Sequence, residues 1–334
     1  MLFQTHAETL LTPDGWRLPL RRFVPLERRD DVPVLCIHGH ATNGWSWYGG
    51  PGRGVVGGLV EAGREVWTVD LRGAGTTFGP RRWAPVRIAD KLTLDVPAAI
   101  RHVLAAGSAG RRHASMIDVV GHSLGGVMVY LLALARDPIA SRIRRAVTIG
   151  SPLRVPEATV PAALRGRTAS RLVGRLHRLP VCGIAASLGR HAPLSAFPTH
   201  FAPGSITAET FRAFMGQGVT DIYGPELAEL AAWVRAGDAR VLHPSLALGG
   251  APGRLPFPTR FIVGAEDGLT TAESVVETRA RLGGEESDLH VLPGFRHADV
   301  LIGLRATAEV APRVAGWLAA REPAEPIVRE ALTA

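Results

Sequence analysis

The apolar and polar positions of Glu8–Leu11 and Trp16–Val24 have the pattern of two strands. Pro13-Asp14-Gly15 between them has the chemistry of a hairpin turn. Val32–Ile37 is a short apolar run of strand length, and a helix is expected over Arg53–Ala62, weakened by Gly54, Gly57 and Gly58. Glu65–Leu71 reads as the next strand. Asp95 is placed to cap a helix with Pro97 in its first turn, running to about Ala105. Met116–Val120 and Arg145–Ile149 continue the series. Strands alternating with helices in this way predict a largely parallel sheet with helices on both faces. The rhythm breaks after Gly150. Residues 151–257 carry scattered prolines, basic apolar stretches and a helical signal over Pro225–Ala236, with no buried parallel strand. It then resumes with a strand at Thr259–Val263, a helix at Thr271–Leu282, a strand at Asp288–Leu292 and a long last helix at Ala298–Ala320, before a tail from Arg321 that reads as frayed. The expectation is an α/β core made of residues 1–150 and 258–334, with an inserted, mainly helical lid at 151–257. No internal repeat or long low-complexity tract interrupts it.

Composition narrows the function classes. A hydrophobic fraction of 46% over 334 residues is ample for a packed core and excludes wholesale disorder. The net charge of +8 invites a nucleic-acid reading, but the basic residues are scattered, nearly all are arginine, and Lys91 is the one lysine. No zinc-finger spacing, RNA-binding aromatic signature or basic tail accompanies them, so nucleic acid is not expected as a partner. Cys36 lies in an apolar run and reads as a small buried hydrophobe. With Cys182 it makes no disulfide framework. The first residues lack a basic start followed by an apolar core, and no apolar run is long enough to span a bilayer, so a cytoplasmic location is expected. Oligomeric state is not indicated.

The most informative stretch is Gly121-His122-Ser123-Leu124-Gly125-Gly126. An apolar strand-like run leads in, and an apolar helical run from Val127 to Ala135 leads out. G-x-S-x-G between a strand and a helix is a nucleophile elbow, which holds a serine on a strained turn with the helix N–H groups aimed back at it. A serine hydroxyl is a poor nucleophile without a base and a carboxylate to orient that base. In this arrangement the order along the chain is serine, acid, histidine. Asp267 follows the strand ending at Val263, with its neighbour Glu266 as the rival acid. His297 follows the strand ending at Leu292, just before the last helix. Among the 12 histidines, position selects His297 as base. His102, His113, His177, His191, His200 and His243 do not follow a late strand, and His290 lies inside one. Asp299 reads as a first-turn helix carboxylate. His122 is expected to line the pocket.

The oxyanion hole needs two N–H donors. Leu124, next after the serine, supplies one. His40, after the strand ending at Ile37, supplies the other through its backbone, with Ala41 as second choice. His38 and His40 form H-x-H without a third ligand at suitable spacing, so no metal is expected, and the chemistry calls for no cofactor. The loop Asp70-Leu71-Arg72-Gly73-Ala74-Gly75 lacks a dinucleotide fingerprint and reads as a turn held by a local ion pair.

These motifs resemble the α/β-hydrolase superfamily. The matching stretches are His38-Gly39-His40, the Asp70–Gly75 loop, the elbow, Gly264-Ala265-Glu266-Asp267 and Gly294–Asp299. Within the superfamily, Glu65-Val66-Trp67, Asp95–Ile100 and His297–Gly303 are similar to the acid-lipase branch. The resemblance implies a carboxylic-ester hydrolase acting on a small-molecule or lipid-like ester through an acyl-serine. The same triad also serves acyl transfer or carbon–carbon bond hydrolysis. In the insertion, Leu172, Leu176 and Leu179 recur at helical spacing, as do Arg171, Arg175 and Arg178. Such a helix can dock on an anionic membrane. The favoured expectation is that its leucines pack on the core and its arginines face water.

Overall fold

The structure, a computed structural model, describes residues 3–106, 115–157, 162–246, 248, 253–285 and 288–319. The predicted last turn at Ala320, the tail from Arg321 and His113 lie outside them. Eight strands form one sheet: β1 (Phe3–Leu11), β2 (Arg17–Pro25), β3 (Val34–Ile37), β4 (Val66–Val69), β5 (Ile117–His122), β6 (Ile143–Ile149) and, after the insertion, two more. Short strands β7 (Arg178–Leu179) and β8 (Ile222–Tyr223) pair with each other inside the insertion. β9 (Thr259–Gly264) and β10 (Leu289–Leu292) then rejoin the sheet, giving the order β1-β2-β4-β3-β5-β6-β9-β10. β1 and β2 are antiparallel additions, and the six strands from β4 to β10 run parallel.

The inner parallel strands are largely apolar because both faces are covered. Leu35, Ile37, Val119 and Val69 pack into one layer, with the helices Val96–Ala106 and Leu124–Leu134. Their neighbours Val34, Cys36, Val120 and Val66 pack into the other, with the helices Gly54–Glu61 and Ala311–Ala319. The period-two alternation of a strand thus divides between two cores, each such side chain contributing about 1.5–3 kcal/mol by leaving water. From β3 the chain moves to β4 on one side, then crosses back to β5 on the other. That reversal leaves a crevice at the carboxyl ends of β3 and β5, where doubly wound sheets bind ligands.

Three expectations need correction. Asp95 is not a helix cap. The stretches Ile88–Asp90, Lys91–Asp95 and Val96–Ala106 run on as one helix with a π-helical middle, which accommodates Pro97 by removing the regular ladder where its missing N–H would matter. The Asp95 carboxylate is fully buried and accepts from the Arg72 backbone (2.9 Å) and guanidinium (2.7 Å). Arg72 also reaches Asp14 in the β1–β2 turn (2.8 Å), so its loop is held by distant partners. Asp70 instead accepts from the Gly44 N–H (2.8 Å). The last helix is broken. Asp299–Ile302 ends at Gly303, and helical structure restarts at Ala306. A Cβ on Gly303 would lie 3.1 Å from the Ser205 carbonyl oxygen, and Leu304 N–H donates to that oxygen (2.8 Å), so contact with the insertion fixes the break. Third, the amphipathic helix of the insertion ends at Val173, and Leu172 and Leu176 are 64% and 47% exposed rather than packed on the core. Among the described residues no helix is long and apolar enough to cross a membrane.

Candidate functional site

Ser123 sits at φ 52°, ψ −123° between β5 and the helix Leu124–Leu134, a left-handed backbone that a residue with a Cβ adopts only under constraint. Its N–H donates to the Ile149 carbonyl at the end of β6 (2.8 Å), and its own carbonyl accepts from Gly126 and Val127, so the turn is held from both sides. Gly125 explains part of the motif. A Cβ there would lie 2.3 Å from the Ile37 carbonyl oxygen, so glycine lets the end of β3 close against the elbow and brings the His38–His40 loop beside the serine.

His297 and Asp267 meet across the top of the sheet. The His297 Nδ1–H donates to Asp267 Oδ2 (2.8 Å). Thr270 Oγ1 donates to the same oxygen (2.7 Å), and the N–H groups of Leu269 and Thr270 donate to Oδ1 (2.9 and 2.8 Å). Burial works to raise the Asp267 carboxyl, but the nearby His297 and these hydrogen bonds outweigh it and hold the group below its ordinary value, as a carboxylate. Glu266, the rival acid, has a side chain about half exposed and faces Arg296. β6 stands between β5 and β9, and Gly150 follows it at φ 57°. A Cβ there would stand 3.3 Å from Asp267 Oδ2 and 3.4 Å from His297 Nδ1, so its absence gives the pair room.

Ser123, His297 and Thr270 line one cavity of about 310 Å³. His297 Nε2 and Ser123 Oγ have no hydrogen-bond partner among the described residues, and neither is sealed away from the cavity. Leu124 and His40 line it too, and their backbone N–H groups likewise have no partner among the described residues. The five residues singled out from the sequence therefore gather at one place: four on the cavity wall and Asp267 behind His297. A wider depression of about 690 Å³ lies over β1 and β2, but no serine, cysteine or histidine lines it.

The other histidines divide by environment. His38 donates from Nδ1 to the Gly39 carbonyl (2.8 Å) and accepts at Nε2 from Leu71 N–H (3.0 Å). Both nitrogens are occupied, and burial pushes its pKa down to about 3. It is a neutral strut between the β3 and β4 loops. His122 donates from Nε2 to the carbonyl of His297 (2.9 Å). Burial, aided by the neighbouring His297, lowers its pKa to about 3, so it supports the His297 backbone as a neutral ring. His200, which sequence position passes over as a base, stands on the cavity wall with its ring centre 6.4 Å from that of His297. Its Nδ1 meets Thr199 Oγ1 (2.9 Å), its carbonyl accepts from Ala298 N–H (2.9 Å), and burial lowers its pKa to about 4. Phe214, Leu230 and Trp233 join it from the insertion, so the cavity lies between the sheet edge and the helices of residues 151–257. No motif in the sequence marks these four. Asp299 is fully buried and accepts from Ala202 N–H (2.7 Å) and Arg296 N–H (2.6 Å), fixing the loop around His297. Among the described residues no group of three or more His, Cys, Asp or Glu is arranged to hold a metal.

The family model of the alpha/beta hydrolase fold matches residues 32–303. No curated protein sequence matches the chain. Among solved structures, a hydrolase from Pseudomonas aeruginosa is 22% identical, with a TM-score of 0.59 over 94% of this chain and 99% of that one. A soluble variant of monoglyceride lipase from Saccharomyces cerevisiae is 16% identical, with a TM-score of 0.61 over 96% of each. An epoxide hydrolase from Vigna radiata is 17% identical, with a TM-score of 0.61 over 94% of this chain and 97% of that one. At these identities the likeness is one of fold.

Proposed function

The chain belongs to the alpha/beta hydrolase fold family, and from that premise we propose that it cleaves carboxylic esters through an acyl-serine intermediate, with residues 151–257 acting as the lid over the site. In this reading Ser123 Oγ attacks the acyl carbonyl, and His297 Nε2 takes its proton and passes it to the departing alcohol. Asp267 holds the imidazole in the required tautomer, and the amides of His40 and Leu124 receive the oxyanion. Water activated by His297 then releases the acid.

The observation that carries the reading is the Asp267–His297 pair, 2.8 Å apart, with the free ring nitrogen opening onto the same cavity as the Ser123 hydroxyl. The nucleophile type separates this chemistry from the epoxide opening named for one neighbour. Attack of a serine oxygen on an epoxide leaves an ether, with no electrophilic carbon for water to attack. Attack on an ester leaves an acyl group whose carbonyl remains open to hydrolysis. The cavity walls, largely apolar with Phe214, Leu230 and Trp233, favour an aliphatic or aromatic ester over a strongly polar one.

The test is turnover of p-nitrophenyl esters from acetate to long-chain acids by the wild-type protein and Ser123→Ala, with fluorophosphonate labelling of both. Loss of turnover by a factor on the order of 10⁴ or more, with label on the wild type alone, is the expected result. Undiminished turnover in Ser123→Ala would overturn the assignment.

A further inference from the structure

One part of the insertion, residues 172–188, leaves several large aliphatic side chains exposed, although the aromatic residues Phe201, Phe211, Phe214 and Trp233 elsewhere in it are buried. The helix Val181–His191 buries Ala185 and Gly189, where a Cβ on Gly189 would stand 2.6 Å from Met215 Cβ, while Ile184 and Leu188 are 57% and 42% exposed. The helix is turned with its small residues inward and its large ones outward, the reverse of what core packing alone selects. Just upstream, Leu172 in the helix Arg167–Val173 and Leu176 after it are exposed. The core adds to this region: Trp83 is 63% exposed and its ring stands 4.7 Å from that of His177.

Charge is equally one-sided. From Arg165 to Arg190 there are six arginines and no aspartate or glutamate. Arg178 meets Asp221 (3.3 Å), whereas the exposed Arg167, Arg171, Arg175 and Arg190 form no ion pair among the described residues. Arg82 lies over the Trp83 ring at 5.0 Å, adding a further cation there.

We propose that this surface, formed by Leu172, Leu176, Ile184, Leu188, Trp83 and the surrounding arginines, docks the protein on an anionic lipid membrane. Guanidinium groups suit phosphate headgroups, aliphatic side chains of this length reach the acyl boundary, and an exposed tryptophan beside them settles at the interface. A protein partner would have to be acidic and to supply apolar pockets matched to several scattered side chains. A fluid bilayer supplies both properties without shape matching. The helix Gly224–Ala236, against which Gly174 packs through Ala228, also supplies Leu230 and Trp233 to the cavity wall. Docking therefore seats a wall of the cavity close to the lipid. The inference rests on exposure and charge, independently of the ester reading.

The experiment is co-sedimentation of the full chain with phosphatidylcholine vesicles, with and without phosphatidylglycerol, across a salt series. The wild type is expected to bind only the anionic vesicles, less tightly as salt rises. Arg171→Gln/Arg175→Gln and Ile184→Ser/Leu188→Ser are each expected to weaken binding about tenfold or more, with circular dichroism unchanged because all four side chains face solvent. Brominated lipid should quench tryptophan fluorescence in the wild type and much less in Trp83→Phe. No binding to anionic vesicles would overturn the proposal. So would binding that the serine replacements leave untouched, since that is adsorption by charge alone. Equal capture by soluble polyglutamate would assign the surface to an acidic polypeptide and overturn it as well.

Discussion

The sheet core and the insertion over it differ in how completely they cover their apolar and charged groups. In the core every large strand side chain of β3, β4 and β5 is buried, and buried charges are multiply partnered: Arg72 with Asp95 and Asp14, and Asp118 with Arg64 and Arg144. In the insertion Leu172, Leu176, Ile184 and Leu188 face outward, and the exposed Arg167, Arg171, Arg175 and Arg190 form no ion pair among the described residues, unlike Arg178, which meets Asp221. Polar links join the two at several places, among them Ala202 N–H to Asp299 and Leu304 N–H to Ser205. Lys91 pairs with Glu226, Glu229 accepts from Ile88 N–H, and the loop after β3 bonds to the stretch 217–220 through Asn43 N–H to Gly218 and Thr220 N–H to Ala41 (2.9 Å). The difference teaches that the proposed reacting groups and the surfaces around their cavity are encoded separately. The core fixes geometry with redundancy. The insertion lines the cavity and leaves part of its aliphatic and basic surface uncovered.

The largest expected effect tests the core side of this contrast. Asp267→Asn keeps the shape of the acid but presents the wrong hydrogen-bonding pattern to His297, so kcat for ester hydrolysis should fall by about 10⁴-fold with KM little changed. Thr270→Val removes one of four donors to the carboxylate and should cost no more than about tenfold. If Asp267→Asn were no worse than Thr270→Val, the acid would be only one member of a polar cluster, and the core would be less sharply organised than its geometry implies.

Next in size is the link between the regions. Lys91 and Glu226 are nearly buried, with side chains 6% and 2% exposed. Lys91→Met leaves the Glu226 carboxylate without its counter-ion and should destabilise the protein by about 3–5 kcal/mol in denaturant unfolding. The double change Lys91→Met/Glu226→Leu should recover most of that loss. Equal losses in the single and double variants would show that packing, and not unpaired charge, dominates at this junction.

The same contrast explains what could be read in advance. β3, β5, β6 and β9 are visible in the sequence because a strand covered on both faces leaves a mainly apolar run, unbroken in β3 and interrupted by a few polar residues in the others. Ser123, Asp267 and His297 are visible because each lies in the turn or loop after a parallel strand, and those strand ends share one edge. Asp95 misleads because a carboxylate shortly before a proline has the local pattern of a cap, and only the distant Arg72 gives it another partner. Helical spacing groups Leu172 with Leu176 but carries no information on which face turns inward, so their exposure emerges only from the packed structure. Gly150 and His200 have no local signature. One matters for the side chain it lacks, the other for where the insertion carries it.

A smaller, pH-dependent effect sharpens the comparison at the same junction. His200→Ala should raise KM about tenfold at most for esters with a polar group near the scissile bond, since it removes one wall hydrogen bond. Below that in size stands Glu229, whose pKa is pushed from 4.5 up to about 7, first by burial and then by the nearby Glu226 and Asp90, against the pull of N–H groups from Ile88 and Ala89. A carboxyl with a raised folded pKa binds its proton more tightly when folded. Its contribution to stability is therefore fully present below about pH 4.5 and is lost as pH rises through about 7. Glu229→Gln keeps a carbonyl oxygen for those N–H groups and cannot ionise. The variant should match the wild type in thermal unfolding below pH 4.5 and exceed it above pH 7 by about 1 kcal/mol, reduced from the full shift because solvent reaches the carboxyl. For a chain of this length that is roughly 2 °C in Tm. A gain confined to an early transition, with the main one unmoved, would mean that the insertion opens before the core melts. A gain in a single transition would bind the two regions into one cooperative unit despite their different construction.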